Sequence, residues 1–470
     1  MSSPKAEAVT LLLAEVDQQL AQDSSSLPLT LRRSQLLNQL RRYAEATACC
    51  EALLIRYPYS AELWSELASN YLDSGCLEAA ELGFRMALER ALGHPEHLYN
   101  LALALQKRWQ LAEAESLLRQ VVALNPEHRL AWSNLGSVLD WLGRPEDALD
   151  AMNRAMALSP QDPDCRWNRS LVLLRLERYQ EGWAEYESRY ALLSRPATPR
   201  TWSGEPRPTE TLWVACEQGL GDSLQFVRFL PQARQRVGRL VLACPPALQP
   251  LLSQQDLADE VVASDGTPQH ALSVRLMSLP HVLGLSRPAD LASAPFLRAH
   301  PARVARMRER FPLDGRPLVA LAWQGSKAYA ADVMRSIPLR ALWPLLHAWP
   351  ARFVSVQKGA GHEQLYELPA GLRPESLSEA DDQDGAFTDT AALLTLCDAL
   401  VTSDSALAHL AGALGVHCLL LLPHVADWRW GQVHDSVPWY PTTELFRQDR
   451  PGDWASAVNK LMRRGLGPAR

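Results

Sequence analysis

The sequence predicts two joined parts: an α-helical repeat solenoid over residues 27–194, then a region of two parallel, doubly wound α/β halves. Three observations carry that expectation. Ala46, Ala80, Ala114 and Ala148 lie 34 residues apart. From residue 211 onward, short β-rich runs alternate with helical stretches, the grammar of a parallel sheet. Between the two parts, residues 195–210 contain Pro196, Pro199, Pro206 and Pro208, too much proline for a helix or a central strand, and read as a linker.

The repeat extends beyond the alanines. Trp64, Leu98 and Trp132 open successive units at the same spacing, and Pro58, Pro126 and Pro160 close three of them, with Leu92 in the place of a fourth proline. A large residue, then Leu and a small residue, then Ala, then Pro at this period is the tetratricopeptide (TPR) pattern of paired helices. The fullest unit reads Trp132, Leu135, Gly136, Leu139, Ala148, Met152, Ala155, Pro160. Gly136 and Ala148 fall where two helices cross closely, and the proline ends the second helix. Five units are expected, beginning near Leu27, Ala61, Pro95, Arg129 and Pro163, with residues 1–26 adding a helix and a polar linker. Each repeat touches only its neighbours, so the array leaves one long surface for a peptide or protein partner; an oligomerisation arm is the other use of such a solenoid.

Bulk properties narrow the classes. At 470 residues and 47% hydrophobic content the chain has room for about three domains with real cores. A net charge of −6, with no basic run, argues against nucleic acid or an anionic membrane as the main partner. The longest apolar runs, such as His417 to Pro423, are strand-sized. Glu15 and Asp17 interrupt the N-terminal apolar stretch, so no secretory signal is expected and the cytoplasm is the predicted location. The eight cysteines (49, 50, 76, 165, 216, 244, 397 and 418) show no CxxC spacing. They are expected to be buried reduced thiols, with neither zinc nor a disulfide framework.

In the α/β region, strands are expected at 211–217, 239–244 and 260–264, with helices at 223–237 and 247–255. Helix 301–311 leads to a second set: strands 317–323, 352–357, 400–403 and 417–422, helices 339–349, 389–399 and 405–414. Two such halves place a ligand in the cleft at the carboxyl ends of the strands, so the informative residues should follow strands.

Four clusters do so. After the first strand comes Glu217-Gln218-Gly219-Leu220-Gly221-Asp222, whose glycines are expected to make a tight turn. Asp222 then sits at a helix N-terminus, where the dipole favours a carboxylate and the group can take a proton from an acceptor hydroxyl; an N-cap alone would use the same placement. The second cluster is Gln324-Gly325-Ser326-Lys327, continuing to Arg335; Lys327 and Arg335 are cations suited to a departing diphosphate, or simply surface charge on a loop. The third is Gln357-Lys358-Gly359. The fourth runs Asp404-Ser405-Ala406-Leu407-Ala408-His409 into a helix of small residues, whose free N–H groups and dipole suit an anion. His409 is either a donor to a phosphate oxygen or a satisfied core histidine.

These residues, together with Asp427-Trp428-Arg429-Trp430 and the segment Asp435 to Gln448, resemble bacterial TPR-fused glycosyltransferases. Their catalytic part is similar to the lipopolysaccharide heptosyltransferases (GT9-like), and the resemblance spans nearly the whole chain. It implies a GT-B fold, with residues 211–315 as the acceptor-side half and 316–470 as the nucleotide-sugar half. It also implies Asp222 as catalytic base, and Asp404, Ser405, Ala406 and His409 around the donor diphosphate. Cys216 and Ser223 depart mildly from the family pattern.

The reaction implied is a metal-independent, inverting displacement with a nucleotide sugar as co-substrate and no other cofactor. The helix N-terminus, His409 and the basic loop would stabilise the leaving group. No DxD loop is recognised; Asp381-Asp382-Gln383-Asp384 reads as a solvated loop. The fused solenoid implies a protein acceptor held in the TPR groove, by analogy with protein O-glycosyltransferases and flagellin-modifying enzymes. The alternatives are an inactive scaffold that binds nucleotide sugar or a partner, and a transferase acting on a glycan or lipopolysaccharide.

Overall fold

In the computed structural model, residues 4–192, 200–263, 268, 270–327, 329, 331–377, 385–432 and 434–467 are described. The Asp381–Asp384 run and part of the proline-rich linker lie outside them. The chain divides into two compact units, Met1–Asn168 and Arg169–Arg470.

The first unit is helical throughout. After α1 (Pro4–Gln22) come the packed pairs α2 (Leu27–Gln39) with α3 (Tyr43–Leu54), α4 (Ala61–Ser74) with α5 (Leu77–Arg90), α6 (Pro95–Lys107) with α7 (Leu111–Leu124), and α8 (Arg129–Trp141) with α9 (Pro145–Leu158). Local signals set the ends. Ser60 accepts the Leu63 N–H at 3.2 Å as N-cap of α4, and Gly75 ends that helix at φ +86°. The small residues at the crossings are required sterically: a Cβ on Gly136 would stand 2.5 Å from Met152 Cγ and 3.0 Å from the Ala148 carbonyl. Ala46, Ala80, Ala114 and Ala148 are fully buried there. A second ladder links successive repeats. Asn100, Asn134 and Asn168 donate through Nδ2 to Ser65, Tyr99 and Ser133 at 3.4, 2.9 and 3.5 Å.

The second unit takes in the end of α10 (Pro163–Arg175), then α11 (Tyr179–Tyr186) and α12 (Arg189–Leu192). Its first sheet is built from β1 (Arg207–Ala215), β2 (Val237–Cys244), β3 (Glu260–Ala263) and β4 (Leu272–Arg275). The intervening helices are α13 (Leu220–Phe226), α14 (Leu230–Arg234), α15 (Gln249–Leu252), α16 (Leu279–Leu283), α17 (Pro288–Leu291) and α18 (Pro301–Arg310). A second sheet contains β5 (Leu318–Ala322), β6 (Arg352–Ser355), β7 (Glu375–Ser376), β8 (Ala399–Ser403), β9 (Cys418–Leu422) and β10 (Thr443–Arg447). With it go α19 (Asp332–Arg335), α20 (Trp343–Ala348), α21 (Thr388–Leu394), α22 (Ala406–Leu414) and α23 (Trp454–Arg464).

Every named strand pair is parallel, in the orders β3-β2-β1-β4 and β10-β9-β8-β5-β6-β7. In the second sheet the chain runs outward from β5 through β6 and β7, then returns to β8 on the other side. The β5/β8 boundary is therefore a topological switch point, where a crevice opens beyond the strand ends. Strands β5, β8 and β9 are buried along their whole length; β5 and β9 are apolar throughout, whereas β8 ends in the buried polar pair Thr402 and Ser403.

Several elements differ from the sequence reading. β1 starts at Arg207, inside the segment read as linker; Pro208 is accommodated because β1 pairs only with β2 there, ahead of an irregularity in register. Trp202 in the same segment is fully buried, and its backbone N–H donates to the Ser273 carbonyl at 2.8 Å. Helix 223–237 is broken into α13, a 3₁₀ turn at Val227–Phe229 and α14, which has proline at its start. β4, β7, β10 and α23 were not anticipated. The division at Asn168 places α11 and α12, read as the end of the solenoid, within the second unit.

Candidate functional site

The site is built on the loops that leave parallel strands. Those after β5 (Gln324, Gly325, Ser326) and β6 (Gln357, Lys358), with the N-terminus of α22 (Ser405, Ala406, Leu407) and Gly385 to Phe387, line a cavity of about 500 Å³. Ala247, from the first sheet's side, closes it. It therefore lies at the β5/β8 switch point, and its volume is that of a small-molecule site.

Gln357 acts there as a staple. Its side chain is 4% exposed; Oε1 accepts the N–H groups of Trp323 and Gln324 at 3.0 Å each, and Nε2 donates to the Gln324 and Ala360 carbonyls at 3.0 and 2.8 Å. Those bonds tie two strand-exit loops together. The Arg335 guanidinium and the Asp332 carboxylate close over Gly325, where a Cβ would meet Arg335 Nη2 at 2.6 Å and displace it. Arg335 is held by Asp332 at 3.1 Å and stacks on Tyr329, while Lys327 is exposed. Neither cation is among the cavity's lining residues.

Asp222 reaches this region because α13 packs on α22. A Cβ on Gly221 would stand 3.3 Å from both Ala406 Cα and His409 Cδ2, so glycine permits the contact. Asp222 Oδ2 accepts the Gly219 N–H at 2.9 Å, an N-terminal cap. Its Oδ1 accepts Arg429 Nη2 at 2.6 Å. Arg429 also donates to Gln225 at 2.8 Å and to Asp427 at 2.9 Å, and lies 4.4 Å from the centre of the Trp428 ring. Against the cost of burial, the Asp427 and Asp222 carboxylates hold this guanidinium above the ordinary arginine value. Burial alone would raise Asp427, but Arg429 holds it below the usual carboxylate range. Asp404, behind them, is pushed up to about 6, by burial first and then by the Asp427 charge.

His409 lies beside this cluster. Its ring stacks on Trp430 at 5.1 Å, and Nδ1 shares a hydrogen bond with Tyr440 Oη at 3.1 Å. Gly412 makes room for that tyrosine; a Cβ would fall 2.3 Å from the Tyr440 ring. Burial, then the Arg429 and Arg228 charges, push the imidazole down to about 3, so it is neutral at ordinary pH. A neutral buried histidine contributes stability above its ordinary pKa and loses it as pH falls toward the folded value. The stability gap between wild type and His409→Gln is therefore expected to narrow from about pH 7 to about pH 4. Urea midpoints across that range test this; a constant gap would mean that His409 titrates normally.

Thus Ser405, Ala406, Gln324, Gly325, Gln357 and Lys358 share one cavity wall, while Asp222, Asp404 and His409 form the adjoining cluster. Glu217 and Gln218 are not among the cavity's lining residues. Glu217 is bound by Arg189 at 2.7 Å, and Gln218 Nε2 donates to Tyr186 Oη at 3.2 Å. The tight turn is also made differently: Gln218 takes the left-handed conformation at φ +60°, whereas Gly219 is at φ −83°. Arg429 was missed as a site residue. Its position in the Asp-Trp-Arg-Trp run was the available signal, but nothing local reveals a partner 207 residues away.

The tetratricopeptide-repeat family profile matches residues 99–163 and 142–196. The N-terminal helix pairs are tetratricopeptide repeats. Protein FlbA of Caulobacter vibrioides is 28% identical over 431 residues, 77% of this chain and 71% of FlbA. Tetratricopeptide repeat protein 7B of Homo sapiens is 28% identical over 120 residues, 26% of this chain and 14% of that protein. Among solved structures, the TPR protein TTC0263 of Thermus thermophilus is 24% identical, covering 34% of this chain and 89% of its own, with a TM-score of 0.32. PilF of Pseudomonas aeruginosa is 19% identical, covering 37% and 79%, with a TM-score of 0.34. Among the described residues, no helix is long and apolar enough to cross a membrane.

Proposed function

We propose that this protein is a nucleotide-sugar-dependent glycosyltransferase of GT-B type that glycosylates a protein hydroxyl, its acceptor recruited by the TPR groove. The observation that carries this reading is the cavity at the β5/β8 switch point, bordered by the N-terminus of α22 and adjoined by Asp222. A helix N-terminus with Lys358 on the same wall suits a diphosphate, and the apolar remainder (Val356, Phe387, Leu407, Ala247) suits a nucleoside. Asp222 is the group assigned to deprotonate the acceptor hydroxyl. That hydroxyl oxygen bonds to the anomeric carbon as the bond to the diphosphate oxygen breaks, and the diphosphate leaves with the electron pair.

One observation favours a second reading, a nucleotide-sugar-binding scaffold without turnover: both Asp222 oxygens are already engaged, by Gly219 and Arg429. Thermal shift against nucleoside diphosphates and their sugars, paired with nucleotide-sugar turnover, separates the two. A ligand at 100 times its Kd is expected to add about 2.7 kcal/mol. Lys358→Glu is expected to weaken that ligand about tenfold, while Asp222→Ala keeps the shift and loses turnover. Binding without turnover in the wild type would select the scaffold. No shift with any nucleoside diphosphate would sink both readings.

A further inference from the structure

The loop that presents Asp222 is braced by α11 and α12, within the second unit. A long side chain at positive φ persists only where its surroundings hold it, and Gln218 sits at φ +60°. Its Nε2 donates to Tyr186 Oη at 3.2 Å. The preceding Glu217 accepts Arg189 Nη2 at 2.7 Å and the Met277 N–H at 3.3 Å. Arg189 also donates to the Tyr186 carbonyl at 3.1 Å and to Ser278 Oγ at 2.7 Å, between the Tyr186 and Tyr190 rings, each 4.9 Å away. The Arg189 and Glu217 side chains are 2% and 3% exposed, so this pair is an internal tie and not part of the cavity wall. One turn earlier, Trp183 packs edge-on against Phe226 of α13 and against Trp428, neighbour of Arg429, at 6.0 and 5.5 Å.

We propose that Tyr186 and Arg189 are positioning residues: they set the backbone of Glu217 to Gly219, and through it the direction in which α13 presents Asp222. The functional half of this inference rests on the glycosyltransferase reading. Two full-length variants test it. Tyr186→Phe removes one hydroxyl. The double variant Arg189→Met, Glu217→Gln removes both charges, so that neither is left buried alone.

Amide exchange of Gly219, whose N–H is bonded to Asp222 Oδ2, is expected to quicken about fivefold in Tyr186→Phe, which loses the Gln218 hydrogen bond and a long contact to Met277 Sδ, and further in the double variant. Nucleoside-diphosphate affinity should be unchanged, because the cavity wall is formed mainly by loops of the second sheet. Nucleotide-sugar turnover should lose kcat with KM unchanged. Unchanged exchange in folded Tyr186→Phe overturns the proposal, as does a kcat loss matched by an equal loss of nucleotide affinity. If the wild type neither binds nor turns over nucleotide, the glycosyltransferase reading has failed, and the exchange result alone decides whether the brace exists.

Discussion

Trp183→Ala is expected to cost the second unit about 3–5 kcal/mol while leaving the TPR helices of the first unit intact. Trp183 is 1% exposed, and its ring meets Tyr186, Phe226 and Trp428 edge-on. The repeat profile covers this residue, so sequence similarity assigns it to the solenoid. Of its partners, Phe226 and Trp428 belong to the α/β core, while Tyr186 shares its helix. Truncation would leave a large cavity beneath α13, because three aromatic rings cannot collapse into the vacated volume. Hydrogen exchange during urea unfolding distinguishes the two assignments. Lost protection in α13 and β1 is the expected result; lost protection confined to α6–α9 would mean that α11 belongs energetically to the repeats.

Arg429→Met is expected to destabilise the protein by about 3–5 kcal/mol near neutral pH, since it strips the partner from two poorly exposed carboxylates. Side-chain exposure is 10% for Arg429, 21% for Asp222 and 25% for Asp427, so screening by water is limited. The pH dependence gives this prediction its sign. In the wild type Arg429 holds Asp427 below the usual carboxylate range. That pairing contributes stability above the ordinary carboxylate pKa and loses it as pH falls through the folded value.

Without the guanidinium, burial raises the Asp427 carboxyl, and a raised carboxyl favours the fold at low pH and penalises it as pH rises. The deficit of Arg429→Met should therefore shrink between about pH 7.5 and about pH 5. Urea midpoints for both proteins at the two pH values test it. An equal deficit at both would mean that Arg429 stabilises by packing on Trp428 and not by charge.

How much could be read from the chain alone followed from the range of the interactions. The 34-residue spacing of Ala46 to Ala148 marked the TPR helix pairs because each crossing demands a small residue at the same place in every unit. Alternation of apolar strands with helical stretches announced parallel-sheet structure, because fully buried strands such as β5 and β9 are apolar on both faces. Strand-exit positions also pointed to Gln324, Lys358 and Ser405, since parallel strands deliver their loops to one edge. Of the missed elements, β7 has two residues, too few for periodicity to register, whereas α23 spans eleven and went unread.

The roles of Glu217 and Gln218 were not legible. A glutamate after a strand looks the same whether it faces a cleft or is bound by Arg189, which lies 28 residues earlier in a helix of repeat-like sequence. The same holds for Arg429 and Asp222. The repeats, the parallel α/β character of the second part and the loops that reach its cavity were legible in the chain, because periodicity and strand burial are local constraints on residue type. Which acids pair with Arg189 and Arg429, and that α13 meets α22 at Gly221, became visible in the fold alone. Those outcomes depend on contacts between residues tens to hundreds of positions apart, which leave no period in the chain.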